Sequence, residues 1–115
     1  MFVALSALSM FAACGGAKGS APLPTGRAAN DAALLRGRAV FTANCSTCHG
    51  ISGGGGVGPS FHNGRLQHDF RTVDDQIAFV RKGRGLMPAW GGRLSSSDLN
   101  AVVRYEREVL STAGR

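Results

Sequence analysis

Two cysteines and a histidine stand close together in the middle of the chain, in the segment Cys45-Ser46-Thr47-Cys48-His49. C-x-x-C-H is the spacing of covalent haem attachment. The two thiols can add across the two vinyl groups at one edge of a haem, and the adjacent histidine then lies under the iron and can supply a nitrogen ligand. The segment therefore predicts one covalent haem c, attached through Cys45 and Cys48 and ligated by His49.

Other uses of a cysteine pair fit this chain less well. A structural zinc site needs four ligands, commonly in two close pairs, but no cysteine follows Cys48, and the later histidines are only His62 and His68. A thioredoxin-like dithiol needs a βαβ context, and no segment has the sustained period-two alternation typical of strands. We therefore favour haem attachment over zinc binding and over dithiol redox chemistry.

The ligand on the opposite side of the iron must come from another part of the chain. Met87 is the only methionine after Met10, and it precedes Pro88, which favours an extended conformation at the methionine. A lone methionine commonly fills a gap in the core, but the upstream haem motif favours ligation by its thioether. We predict His49 and Met87 as the metal ligands, with His62 and His68 as competitors for the second position.

Local signals predict three main helices. Asn30 or Asp31 can cap the first helix, which runs toward the cysteine motif. Thr72 can cap a second helix that ends at Gly83. Ser95 can cap the last helix, whose apolar residues recur with helical spacing. We expect an all-α domain of three to four short helices joined by long loops, with no substantial sheet.

The region from Asp31 to Leu110 resembles the bacterial class I monohaem cytochrome c family. The features that carry this resemblance are Gly37 with Phe41 before C-S-T-C-H-G, then Gly58-Pro59, M-P-A-W at 87–90, and L-S-S-S-D-L-N-A-V-V-R-Y at 94–105. The resemblance implies the class I cytochrome c fold, in which short helices and long loops wrap around one covalent haem.

The resemblance also implies roles for particular residues. In this family a glycine of the first helix packs crosswise against an aromatic residue of the last helix, and Gly37 and Tyr105 match that pair. The backbone carbonyl of Pro59 is expected to accept a hydrogen bond from His49 and so to orient the imidazole. Trp90, in the M-P-x-W segment, is expected among the haem-binding residues.

The N-terminal segment predicts export. Residues 1–13 are uncharged and apolar, too short to span a bilayer, and end in small residues before Cys14, which is typical of a signal peptide. Cys14 is a candidate for lipidation, as in bacterial lipoproteins; simple secretory cleavage and a retained N-terminal helix stay open. We expect a flexible tether over 14–29, a cytochrome domain over 30–115, and a location on the periplasmic side, tethered to a membrane.

Charge indicates what kind of partner the protein meets. Lysine and arginine number 13 against 7 acidic residues, so the net charge is +6. No basic run is interleaved with aromatic residues, which argues against nucleic-acid binding. One stretch is mostly basic and could surround an exposed haem edge that meets transient, acidic redox partners; its charged residues are Arg65, Arg71, Arg81, Lys82, Arg84 and Arg93, with Asp69, Asp74 and Asp75.

These predictions converge on electron transfer. A haem iron held by His49 and Met87 has no open position for oxygen or a substrate, and a thioether ligand raises its potential. We therefore expect a monomeric one-electron carrier of an exported bacterial redox chain and not an enzyme. Two other functions stay open: a cytochrome subunit of a larger dehydrogenase or oxidase, and a haem enzyme or gas sensor from which Met87 dissociates.

Overall fold

Five α-helices form the frame of the domain. The computed structural model describes residues 19–113, and the helices in it are α1 (Ala32–Asn44), α2 (Ser46–His49), α3 (Arg65–Asp69), α4 (Val73–Lys82) and α5 (Ser96–Glu108). Three 3₁₀ turns lie at Gly26–Ala28, Trp90–Gly92 and Leu110–Thr112. Residues 19–113 contain no strand, which confirms the all-α prediction. None of these helices has the length and apolar character needed to cross a membrane.

The three main helices begin at the predicted capping residues. The Asp31 carboxylate accepts hydrogen bonds from two backbone N–H groups of the first turn of α1, at 2.9 and 3.0 Å. Thr72 and Asp75 form a reciprocal capping box at the start of α4. The Ser95 hydroxyl accepts a hydrogen bond from the N–H of Asp98 in α5. Each cap satisfies N–H groups that a helix start otherwise leaves without partners.

Helices α1 and α5 cross at Gly37, where their backbones come very close. A Cβ atom at Gly37 would overlap the Ala101 carbonyl oxygen and would lie 2.7 Å from Tyr105 Cβ. Phe41, one turn further along α1, packs its ring 5.7 Å from that of Tyr105. The contact between Gly37 and Tyr105 implied by the family resemblance is therefore present, and it explains a glycine in the middle of a helix.

The apolar face of α5 forms the centre of the core. Leu99, Val102 and Val103 of α5 are fully or almost fully buried. Leu110, in the 3₁₀ turn that follows the helix, is buried as well. Leu34, Val40 and Phe41 of α1 pack against them. This α1–α5 core supports the remaining elements, which surround a cavity described below.

The N-terminal boundary of the domain differs from the predicted one at Asn30. Ala21 is only 2% exposed, and its carbonyl oxygen accepts a hydrogen bond from Arg38 Nε at 2.8 Å. The Pro22 carbonyl oxygen accepts a 2.6 Å hydrogen bond from the Tyr105 hydroxyl. Residues from Ala21 onward therefore belong to the packed domain and not to a flexible tether. The predicted signal peptide over 1–13 and Cys14 lie outside the described residues.

Candidate haem site

A large cavity opens between the cysteine motif, the following loop, α3, α4, the 84–90 segment and α5. Its volume is about 840 Å³. The walls are mostly apolar, with Phe61, Leu66, Phe70 and Val80 among the residues that form them. All the site residues predicted within the domain line this one cavity, namely Cys45, Cys48, His49, Pro59, Met87 and Trp90. The fold thus brings together residues that are far apart in the sequence.

The two cysteines occupy the junction of α1 and α2. Cys45 ends α1, where its backbone N–H donates to the Phe41 carbonyl oxygen at 2.9 Å, and its carbonyl oxygen accepts from the His49 N–H at 3.0 Å. Cys45 is half-buried and Cys48 is exposed at the cavity rim. Burial and the nearby Glu106 carboxylate raise the pKa of the Cys45 thiol far above its ordinary range. Both sulfurs are free, as covalent attachment requires.

The orientation of His49 is set from three sides. Its Nδ1 lies 3.0 Å from the Pro59 carbonyl oxygen, and because a carbonyl can only accept, Nδ1 carries the proton. Phe61 stacks on the imidazole with ring centroids 4.4 Å apart. Gly58 lies so close that a Cβ there would be 2.7 Å from His49 Cε1. The hydrogen bond to Pro59 selects the tautomer of the neutral imidazole in which Nε2 carries no hydrogen and is available as a metal ligand.

Met87 is held on the cavity wall by a tight turn. Arg84 and Met87 exchange backbone hydrogen bonds, both 3.0 Å long. Gly83 and Gly85 adopt φ values of 67° and 58°, in the left-handed region that favours glycine. A Cβ at Gly83 would also lie 2.6 Å from the Met87 carbonyl oxygen. Met87 is half-buried, and Pro88 and Trp90 continue the same wall.

The competing histidines do not line the cavity. His62 Nε2 lies 2.9 Å from the Ser52 carbonyl oxygen. The His68 side chain is 88% exposed and its Nδ1 lies 2.9 Å from Asp69 Oδ1. Over residues 19–113, no cluster of three or more His, Cys, Asp or Glu side chains could hold a metal ion by itself. Met87 lines the cavity, and neither competing histidine does.

The cavity wall contains one polar pair that was not predicted from the sequence. Glu106 and Gln76 are 4% and 2% exposed, and Gln76 Nε2 donates to Glu106 Oε2 at 2.9 Å. Burial raises the pKa of the Glu106 carboxyl to about 8. A signal for Glu106 exists in the sequence, since it lies seven residues after Leu99 and four after Val102, on the apolar stripe of α5.

The cavity has the character that a haem requires. A haem is a flat, largely apolar group, and here apolar walls enclose a space with two thiols on one side. The imidazole Nε2 and the Met87 thioether provide donors of the kind that bind haem iron. Gly58 leaves room for the His49 ring in its present orientation. An all-helical domain with these features defines a small c-type cytochrome.

Comparisons with known proteins support this class. Residues 32–105 match the family described as "Cytochrome C oxidase, cbb3-type, subunit III". Cytochrome c6 of Microcystis aeruginosa is 37% identical over 73 residues, which cover 60% of this chain and 88% of that protein. The crystal structure of cytochrome c6 from the diatom Phaeodactylum tricornutum is 30% identical, with a TM-score of 0.56, and covers 65% of this chain and 91% of the diatom protein.

The fold is shared with a more distant cytochrome as well. Cytochrome CL from the marine methylotrophic bacterium Methylophaga aminisulfidivorans superposes with a TM-score of 0.61 at 20% identity, and this chain spans 57% of its length. The chain belongs to the class I cytochrome c family. It therefore carries one covalently attached haem c and is an electron carrier, not an enzyme.

Proposed function

We propose that this cytochrome transfers single electrons through a haem attached to Cys45 and Cys48, with the iron held between His49 and Met87. The observation that carries the proposal is the hydrogen bond between His49 Nδ1 and the Pro59 carbonyl oxygen, because it directs the other ring nitrogen to metal binding. The turn that places Met87 on the wall of the same cavity supports the second ligand.

This ligand set explains the absence of catalysis. A bound haem c supplies a one-electron redox couple, and a thioether ligand favours its reduced state. The protein's residues exclude water from most of the macrocycle and hold both ligands in place, so little rearrangement accompanies electron transfer. A stable Met87 ligand leaves no position for oxygen or a substrate.

Absorption spectra of Met87→Ala and of a matched control test this assignment. The control is Leu86→Ala, because Leu86 is the neighbouring residue and 89% exposed. We expect the oxidised wild-type protein and the control to show a methionine–iron charge-transfer band, and their reduced forms not to bind carbon monoxide. Met87→Ala should lose the band and bind carbon monoxide. A wild-type protein without the band would overturn the assignment and direct attention to His62 and His68.

We further propose that redox partners dock at the mouth of the cavity through a small apolar patch with a basic border. Leu86 and Val57 line the cavity and are 89% and 74% exposed. Arg65 and Arg84 also line it, with Asp69 as an acidic neighbour. The other basic residues of the 65–93 stretch do not line the cavity. This patch suits a transient, partly acidic partner.

Salt and charge-removal experiments test the docking proposal. Electron transfer to an acidic partner should slow as ionic strength rises, because screening weakens the attraction. Arg84→Gln should slow it at low salt, whereas Arg27→Gln, an exposed arginine outside the cavity, should not. Rates independent of salt in the wild-type protein would overturn the proposed basic border.

We propose that the chain is exported, anchored by lipid at Cys14, and joined to the domain by a tether that ends before Ala21. The apolar residues 1–13 and the small residues before Cys14 support export. The packing of Ala21 supports a tether that ends before this residue, earlier than the predicted end at 29. Mass spectrometry of the mature N-terminus should find acyl chains on Cys14, and Cys14→Ser should release the protein from membranes. An unmodified N-terminus beyond Cys14 would instead show simple secretory cleavage.

The description of the matched family favours a second candidate function, as the cytochrome subunit of a larger oxidoreductase. In that case the apolar patch at Leu86 and Val57 would be covered by a permanent partner. Purification from native membranes distinguishes the two functions. Recovery as a single polypeptide chain supports the free or lipid-tethered carrier, and stable recovery with a catalytic subunit supports the second candidate.

A further inference from the structure

A carboxyl group of α5 is buried beside the haem cavity. Glu106 of α5 lines the cavity, is 4% exposed, and accepts one hydrogen bond from Gln76 Nε2 of α4 at 2.9 Å. A carboxyl in an apolar site holds its negative charge poorly unless a cation or several donors compensate it. Among residues 19–113, Glu106 has an amide donor and no ion pair, so its charge is sensitive to any other charge in the cavity.

The amide that bonds Glu106 cannot turn around. Gln76 Oε1 accepts a hydrogen bond from Arg107 Nη1 at 3.2 Å, and Arg107 is held in turn by the backbone carbonyl oxygens of Leu66 and Phe70. Because an arginine can only donate, Gln76 must present its NH₂ group to Glu106. This arrangement stabilises the carboxylate only modestly, through its Oε2 atom.

The other partner of Glu106 is a thiol that haem attachment would consume. The Cys45 thiol lies close enough to the Glu106 carboxyl to lower its pKa. Once the Cys45 sulfur is bonded to a haem vinyl carbon, it has no hydrogen to donate. The titratable and charged side chains that face the same cavity from other elements are Cys48, His49, Arg65, Asp69 and Arg84, and Arg107 reaches the pair through Gln76.

We propose that Glu106 is a redox-linked proton site: the protein binds one proton at Glu106 when it accepts an electron and releases that proton when it donates the electron. The proposal rests on the attachment of haem at Cys45. The electron comes from a redox partner and the proton from solvent, and an O–H bond forms on a Glu106 carboxylate oxygen. The electron and the proton together leave the net charge of cavity and cofactor unchanged.

The sign of the coupling follows from electrostatics. An oxidised iron carries one more positive charge than a reduced iron, so it favours the ionised carboxylate and lowers the pKa of Glu106. In a cavity of low dielectric constant this influence is only weakly screened. Burial raises the pKa of Glu106 to about 8, although the hydrogen bond from Gln76 acts in the opposite direction. Between its pKa values in the oxidised and reduced proteins, the midpoint potential must therefore fall as pH rises.

Potentiometric titration of the holoprotein tests the proposal. Between the pKa values of Glu106 in the oxidised and reduced proteins, each tenfold fall in proton concentration should shift the oxidation equilibrium up to tenfold, or about 59 mV for one electron. Glu106→Gln keeps the size and hydrogen bonding of the side chain and should remove this dependence. Glu108→Gln is the matched control, because Glu108 lies on the same helix but is exposed and paired with Arg104. It should behave like the wild-type protein.

Infrared difference spectroscopy gives an independent measurement on the unaltered protein. Reduction of the wild type should produce the carbonyl stretching band of a protonated carboxylic acid, and Glu106→Gln should lack it. A wild-type potential that does not vary with pH, or a dependence that persists unchanged in Glu106→Gln, would overturn the proposal. If Glu106→Gln does not assemble, the absence of the infrared band in the wild type would do the same. A haem stain after denaturation checks the attachment itself, so the two failures are distinguishable.

Discussion

Replacing Gly37 with alanine tests how closely α1 and α5 must approach. A Cβ at this position would overlap the Ala101 carbonyl oxygen and lie 2.7 Å from both the Ala101 carbonyl carbon and Tyr105 Cβ. The obstructing atoms are backbone atoms of α5 and the first side-chain atom of a buried tyrosine, so none of them can rotate away. The helices must therefore move apart to accommodate a single methyl group.

The expected loss of stability is the difference between two opposing effects. Alanine favours the helical conformation over glycine by about 1 kcal/mol. Overpacking of a close-packed core costs about 1–3 kcal/mol and occasionally more, and the rigidity of the α5 backbone places Gly37 at the upper end of that range. We expect a net loss of about 2 kcal/mol, or roughly 8–16 °C in the melting temperature for a domain of this size.

Urea unfolding of the holoprotein, followed by circular dichroism, measures this loss. The control is Gly92→Ala, because a Cβ at Gly92 would meet no atom within 4 Å. We expect the control to be as stable as the wild type or slightly more stable. Equal or greater stability of Gly37→Ala would refute the reasoning, since it would mean that the two helices separate at no cost.

Three further predictions concern other contacts of the structure. Gly58→Ala should displace the His49 ring, because the new Cβ would lie 2.7 Å from it. We expect the free energy of unfolding to fall by about 1–3 kcal/mol and the haem spectrum to change, with Gly92→Ala as the control. Tyr105→Phe removes the 2.6 Å hydrogen bond to Pro22 and should cost about 1 kcal/mol and increase proteolysis near the N-terminus. Hydrogen bonds from the backbone and from Arg104 lower the pKa of Asp31. The Asp31 carboxylate should therefore stabilise the fold above the ordinary aspartate pKa, and this stabilisation should be lost as pH falls through the lowered pKa. Unfolding of Asp31→Asn and of the wild type across acidic pH should show a difference in stability that vanishes at low pH.

The features of this protein that depend only on neighbouring residues could be predicted from short segments of the chain. The caps at Asp31, Thr72 and Ser95 act on N–H groups two or three positions away, so each helix start could be predicted from a short segment. The attachment motif is equally local, because the spacing of Cys45 and Cys48 is itself the chemical requirement. Local hydrogen bonding and covalent spacing need no knowledge of the rest of the fold.

Short elements and the domain boundary depended on distant packing. Helix α3 (Arg65–Asp69) has no capping side chain and follows residues of positive φ, so the sequence offers little to predict it. Ala21 and Pro22 are held by α1 and by Tyr105, which lies 83 positions from Pro22. Composition alone indicated a flexible segment there, because glycine, alanine and proline show no periodicity from which burial could be inferred.

The tertiary structure also decided the electrostatics of the cavity. Glu106 and Gln76 are 30 positions apart, and the position of Glu106 on the apolar stripe of α5 does not identify Gln76 as its partner. Only the packing of α4 against α5 removes both from water and turns an ordinary carboxyl into one with a raised pKa. Burial is a property of the assembled chain, whereas a cap or an attachment motif is a property of a few consecutive residues, and this difference separates what the sequence determined from what the fold decided.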